Sequence, residues 1–143
     1  MAALTISALR QRIATQLTAL AGWTQSPFDH ERLVTAGTPA QHQQYALEVS
    51  ASERSTSAHS SETGALVDTT VIVHWLYRRN QKDHAGTLDA ALDAEQAMIL
   101  QVLATSKTDL SLSWIRSDRV LAGDWLVGEA EFMATHSLAF LAA

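Results

Sequence analysis

ALVDTTVIVHWLYRR, residues 65–79, is the stretch on which the fold turns. It is dense in β-branched and aromatic side chains and has no Gly or Pro in it, the composition of a strand. Successive side chains of a strand point to opposite faces. One face therefore reads Val67, Thr69, Val71, Val73, Trp75 and Tyr77, and the other Leu66, Asp68, Thr70, Ile72, His74 and Leu76. Both are apolar in the middle, which predicts a long central strand with one face against the chain's own helices and the other against something else.

On the N-terminal side, Tyr45, Leu47 and Val49 alternate with Ala46, Glu48 and Ser50, the pattern of a strand with one wet face. Between the two strands, ASERSTSAHSSETG at 51–64 is too polar to bury and predicts a loop of contact or disorder. Residues 23–44 carry Pro27, Gly37 and Pro39 without a sustained period and read as an irregular excursion, with room for a short strand around Arg32 to Val34. Before them, Leu9, Ile13, Leu17 and Leu20 recur at steps of four and three, so residues 5–21 predict an amphipathic helix started by Thr5 or Ser7 and ended at Gly22.

On the C-terminal side, the turn from Asn80 to Gly86 leads to a second helix, with Thr87 as its expected cap and Asp89 and Asp93 near its positive end. Leu88, Leu92, Ile99, Val102 and Leu103 form its expected buried stripe. Leu110, Leu112 and Trp114 begin a strand that continues through polar Arg116, Asp118 and Arg119. Gly123 and Asp124 then turn the chain into a last strand, where Leu126, Ala130, Phe132, Ala134, His136 and Leu138 alternate with Glu129, Glu131 and Thr135. Helix, strand, strand, helix, strand, strand with hairpin-length links predicts an α+β domain: a twisted antiparallel sheet of about four strands packed against two helices. The whole chain, 1–143, reads as one domain.

Composition narrows the function. The chain has no cysteine, which excludes disulfides, thiolate zinc sites and a Cys nucleophile. A net charge of −5 with scattered Lys and Arg argues against a protein built to wrap nucleic acid. The first twenty residues lack the apolar run of a membrane span or leader.

Motif chemistry is sparse. The six glycines stand apart, so no phosphate cradle is expected, and neither G-x-S-x-G nor S-x-x-K occurs in a context that would activate a serine. His30, His42, His59, His74, His84 and His136 lack metal-ligand spacing, and His74 and His136 fit structural histidines within strands. No cofactor, metal or catalytic residue is expected. Glu129 and Glu131 share a face and are the pair to weigh for a small hydrolase, with His74 or His136 beside them; a solvated strand face is the plainer reading. Arg78, Arg79, Lys82 and His84 gather fixed positive charge at a strand end, suited to an acidic neighbour or phosphate.

Four segments together, ISALRQRIATQL at 6–17, VDTTVIVHWLYRR at 67–79, TLDAALDAEQ at 87–96 and SWIRSDRVLAGDWLVGEAEFMATHSL at 113–138, resemble the tail terminator (tail completion) proteins of long-tailed bacteriophages. The last segment carries the family habit of an aromatic followed by Arg, an acidic turn, a Trp and a long alternating strand. The resemblance implies a virion protein rather than an enzyme. It implies a subunit of a homo-oligomeric, hexameric ring at the head-proximal end of the tail, assembled in the host cytoplasm. The ring would sit on the major tail tube protein, stop its polymerisation and face the head–tail connector, with DNA passing through the lumen without specific binding and no membrane involved. Related neck and connector proteins are the nearest alternative, and a cystatin-like binding module a more distant one. The polar segments at strand ends supply the expected subunit and partner contacts: Glu53, Arg54, Arg78, Arg79, Lys82, Asp83, His84, Arg116, Asp118 and Arg119.

Overall fold

The computed structural model describes residues 3–26, 42–54, 66–79 and 82–138. Its long elements follow the expected order: α1 (Ile6–Thr18), β3 (Gln44–Arg54), β4 (Leu66–Arg78), α2 (His84–Leu103), β5 (Ser111–Ala122) and β6 (Trp125–Leu138). Two strands of two residues each, β1 (Ala3–Leu4) and β2 (Thr24–Gln25), complete the set. The long strands lie side by side as β5–β6–β4–β3, antiparallel throughout. β1 and β2 add short parallel pairings, β1 to the end of β6 and β2 to the start of β3, so the α+β fold has a mixed sheet.

β4 is central, as its composition requires. It pairs over its full length with β6, from Leu66 opposite Ser137 to Arg78 opposite Trp125, and with β3 on its other side. Val67, Thr69, Val71, Val73 and Trp75 are buried on one face, where α1 contributes Leu9, Ile13 and Leu17 and α2 contributes Ala91, Met98 and Val102. Full burial of each aliphatic side chain stabilises the fold by about 1.5–3 kcal/mol, which fixes the helices on this side. On the other face Leu76 and Ala46 form a small second cluster with Trp125 and Val127, while Ile72 and His74 remain half-buried.

Local signals place the element ends. Thr5 Oγ1 accepts from the Ala8 amide and starts α1, which ends at Thr18, with Gly22 in the following turn at φ +92°. Gly123 takes φ +60° as the first of the two residues linking Ala122 to Trp125, the position at which a tight hairpin needs glycine.

Three expectations change. α2 begins one turn earlier than Thr87: Asp83 is the cap, its Oδ1 accepting from the Gly86 amide at 2.9 Å, and Thr87 Oγ1 donates to Asp83 O at 2.7 Å. Gly86 permits this because a Cβ there would lie 2.1 Å from Asp83 Oδ2. The buried stripe of α2 is Ala91, Glu95, Met98 and Val102, with Leu92, Ile99 and Leu103 at its margin and Leu88 exposed, because the helix is rotated to bring Glu95 against Trp75 and Arg119. β3 continues through Ala51 to Arg54, pairing with Thr70 to Val67, so a strand occupies the first residues of the expected 51–64 loop. Residues 55–65, the proposed short strand at 32–34, and Asn80 and Gln81 lie outside the described residues, as do His30 and His59.

Candidate interaction surface

α1 and α2 cover one face of the sheet, and β5 forms an edge. Among the described residues no strand pairs with the outer side of β5. A bulge between Trp114 and Arg116 shifts its register against β6. Trp114, opposite Phe132, thus keeps to the helix side, Ile115 is the extra residue, and Arg116, opposite Glu131, turns to the other face, which no helix among the described residues covers. Farther along, Arg119 lies opposite Gly128 and returns to the helix side.

Arg119 meets the one acid buried in α2. Glu95 is 1% exposed, accepts from Trp75 Nε1 at 2.8 Å through Oε2, and takes Nε and Nη2 of Arg119 on Oε1. A buried carboxylate is tolerated only with such partners. The surface between α2 and β5 holds two apolar grooves, the first of which includes the pair. One, about 400 Å³, is lined by Leu92, Ile99, Leu100, Leu103 and Trp114, with Arg119 at its end; the other, about 250 Å³, is lined by Leu88, Leu121 and Leu126 with Arg79 and His84.

Apolar exposure is concentrated here. The large hydrophobic side chains exposed among the described residues are Leu88 and Leu100 on α2 and Trp114, Ile115, Val120 and Leu121 on β5, each between 46% and 63% exposed. Exposed apolar side chains along an edge strand make this the surface of the described residues with most apolar area left open to contact.

The residues singled out from sequence fall in separate places. Arg78, Arg79, Lys82, Asp83 and His84 gather at the junction of β4 and α2, where Arg79 Nε donates to His84 Nδ1 at 2.7 Å and the Arg79 amide bonds Asp124 O of the β5–β6 turn at 2.7 Å. The Arg78 amide donates to His42 Nδ1, and His42 stacks edge-on to Tyr77 at 4.4 Å. Desolvation, and secondarily the positive charge of Arg78, holds the His42 pKa below its ordinary 6.5. Glu53 and Arg54 lie at the far end of the sheet, opposite Asp68 and Val67. Arg116 and Asp118, 3.0 Å apart, are on the uncovered face, whereas Arg119 is on the other.

The four residues weighed for a hydrolase divide between the two faces. On the uncovered face His74 Nε2 meets Glu48 at 2.8 Å and its Nδ1 approaches Glu129 at 3.5 Å, while Glu131 faces Arg116 at 3.7 Å. His136 is buried on the helix side, its Nε2 2.8 Å from Thr69 Oγ1, which bonds Ser52 Oγ at 2.8 Å. Among the described residues no three His, Asp or Glu side chains converge as metal ligands, and no helix is long and apolar enough to cross a membrane.

Sequence reading identified Arg116, Asp118 and Arg119 but assigned no groove to them and missed Glu95. Its signal was an acid at the centre of an otherwise apolar stripe, at i+4 from Ala91 and i−3 from Met98. Comparison with protein-family models gives no match, and comparison with curated proteins gives none.

Proposed function

We propose that this chain is a structural subunit of a long-tailed phage: a tail terminator that assembles as a ring on the last ring of tube protein, ends tube polymerisation and joins the tail to the head connector. The observation that carries the reading is the apolar flank along α2 and β5, since a subunit that assembles must leave a surface of this kind uncovered in isolation. The resemblance supports it further. Its segments fall on α1, β4, α2 and the β5–β6 hairpin, in that order.

The cationic junction adjoins the flank, because Arg79 and His84 line the second groove. Contact with a neighbour would therefore combine apolar side chains from α2 and β5 with charge from the end of β4. A hexameric ring uses head-to-tail contacts, in which this flank meets a different patch on the next subunit. The tube protein, the connector and the DNA that crosses the lumen without specific binding are the remaining partners, and the head-proximal end of the virion tail is the location.

Deletion in the source phage, with electron microscopy of the lysate, tests this reading. Overlong tails not joined to heads are expected, and the same from Leu100→Asp with Leu121→Lys if the variant folds. Tails of normal length joined to heads after deletion, or virions lacking the chain, would overturn it.

A further inference from the structure

The flank is self-complementary. Around Ser117 the side chains of β5 are arranged in opposing pairs: Arg116 and Asp118 on either side of it on the uncovered face, and the apolar pairs Trp114–Ile115 and Val120–Leu121 farther out. We propose that the free protein pairs with a second copy of itself through a two-fold contact in which two β5 strands run antiparallel about Ser117.

Reversing the strand about that point sets Arg116 against Asp118 of the other copy, and Asp118 against its Arg116. The single 3.0 Å pair along one strand becomes two pairs across the contact. Both side chains are more than 60% exposed and available for this exchange. The same reversal brings the Trp114–Ile115 end of one copy beside the Val120–Leu121 end of the other.

The helices follow the same symmetry. Leu100 shares a groove with Trp114, and Leu88 shares the other with Leu121, so α2 runs opposite to β5. A two-fold at Ser117 therefore carries Leu88 toward Leu100 of the second copy. Glu95 bonds Trp75 of β4 and Arg119 of β5, which places α2 above β6 between them. Two such helices would stand about three strand spacings apart, roughly 14 Å. A helix with its side chains is about 10–12 Å across, so the two leucines close the remaining gap.

Charge permits the approach. Arg119 is the cation nearest the symmetry point on the helix side, and Glu95 already neutralises it. The product is one continuous sheet of eight long strands with both β5 edges covered, a closed pair that cannot extend by this edge.

This inference rests on the flank being a subunit contact and adds a regulation to it. A two-fold contact cannot close a head-to-tail ring, so the pair is a resting form that keeps the flank covered until the tube end supplies its assembly partner.

The absence of cysteine makes the test direct. Under mild oxidation, Ser117→Cys should give a disulfide-linked dimer, because only a residue near the two-fold meets itself at the Cα separation a disulfide needs. Ser113→Cys should not, but should cross-link when mixed with Val120→Cys, which lies on the same face across the contact. Arg116→Asp and Asp118→Arg should each weaken the dimer about tenfold in sedimentation, and the double exchange should restore it. A monomer at tens of micromolar, equal cross-linking at residues 113 and 117, or no rescue by the double exchange would overturn the proposal. Tails capped normally by a protein that never cross-links at residue 117 would overturn this inference alone; a clean dimer missing from virions would overturn the ring reading alone.

Discussion

The indole of Trp75 lies directly over the α-carbon of Gly128, so closely that a Cβ at Gly128 would fall 2.0 Å from Trp75 Cε2. The two residues are opposite each other on β4 and β6. The missing side chain lets the fully buried ring lie flat over β6, edge-on to Trp23 at 6.2 Å and within reach of Glu95.

Gly128→Ala should therefore act as overpacking rather than as a gain in strand propensity. The ring would have to leave its position, and a loss of about 1–3 kcal/mol is expected. Urea unfolding followed by tryptophan emission measures it; unchanged stability would mean that the ring moves without cost.

Arg119→Leu should destabilise more than Glu95→Gln. The first leaves a buried carboxylate without its cation, a change that costs about 3–5 kcal/mol at a fully buried pair. Arg119 is 34% exposed, so water replaces part of the interaction and the lower end is expected. Glu95→Gln removes the charge and retains an acceptor for Trp75. Combining Glu95→Gln with Arg119→Leu should recover stability relative to Arg119→Leu alone, and strict additivity in the double-mutant cycle would contradict the coupling.

Acid should loosen the junction of α1 with the α2–β5 loop. Arg12 donates to both carboxylate oxygens of Asp109, at 2.8 and 2.5 Å. This bonding holds the Asp109 pKa below its ordinary 3.8 and raises that of Arg12. A depressed carboxylate stabilises the fold above the unfolded value and loses that contribution as pH falls through the folded one. The Asp109 contribution should thus be intact at pH 5 and decline only below about pH 4. Asp109→Asn should flatten this part of the stability–pH curve; a curve identical to that of the parent would argue against it.

His42 gives a dependence of the same sign in a higher pH window. Its pKa is lowered, so the unfolded chain takes up the proton first, and stability should fall as pH drops from above 6.5 toward the folded value. Protonation also removes Nδ1 as acceptor for the Arg78 amide. Histidine ring shifts followed by NMR should place His42 below an exposed histidine, and His42→Gln should reduce the slope. Titration at or above 6.5 would contradict the assignment.

Thr69→Val should cost about 1–3 kcal/mol, since it leaves the buried His136 Nε2 and the Ser52 hydroxyl without their shared partner while preserving shape. Thermal unfolding measures this, and a neutral result would mean that water replaces the hydroxyl.

Residues 65–79 and the leucines of α1 were legible because burial on one face imposes a short repeat that survives in any globular context: a step of two for β4, and of three or four for Leu9, Ile13 and Leu17. The Gly123–Asp124 turn was legible because few residues adopt its backbone. The start of α2 was less so, as Thr87 and Asp83 are both good caps and only the amide of Gly86 reveals which one is used.

The interaction surface was the least legible part. In sequence, Leu110, Leu112, Trp114, Arg116 and Asp118 continue one alternation, as though they shared a face. The bulge at Ile115 breaks it, leaving Trp114 above the sheet, sending Arg116 and Asp118 below it, and returning Arg119 to Glu95.

By itself, then, the sequence determined the kind and order of the elements, because propensity and periodicity are local properties of the chain. Tertiary structure decided that β6 lies between β4 and β5, that Glu95 is buried, and that β5 is left as an edge with its apolar side chains exposed. Those outcomes depend on pairings between strands distant in sequence, and a bulge or a buried ion pair has meaning only once its partner is in place.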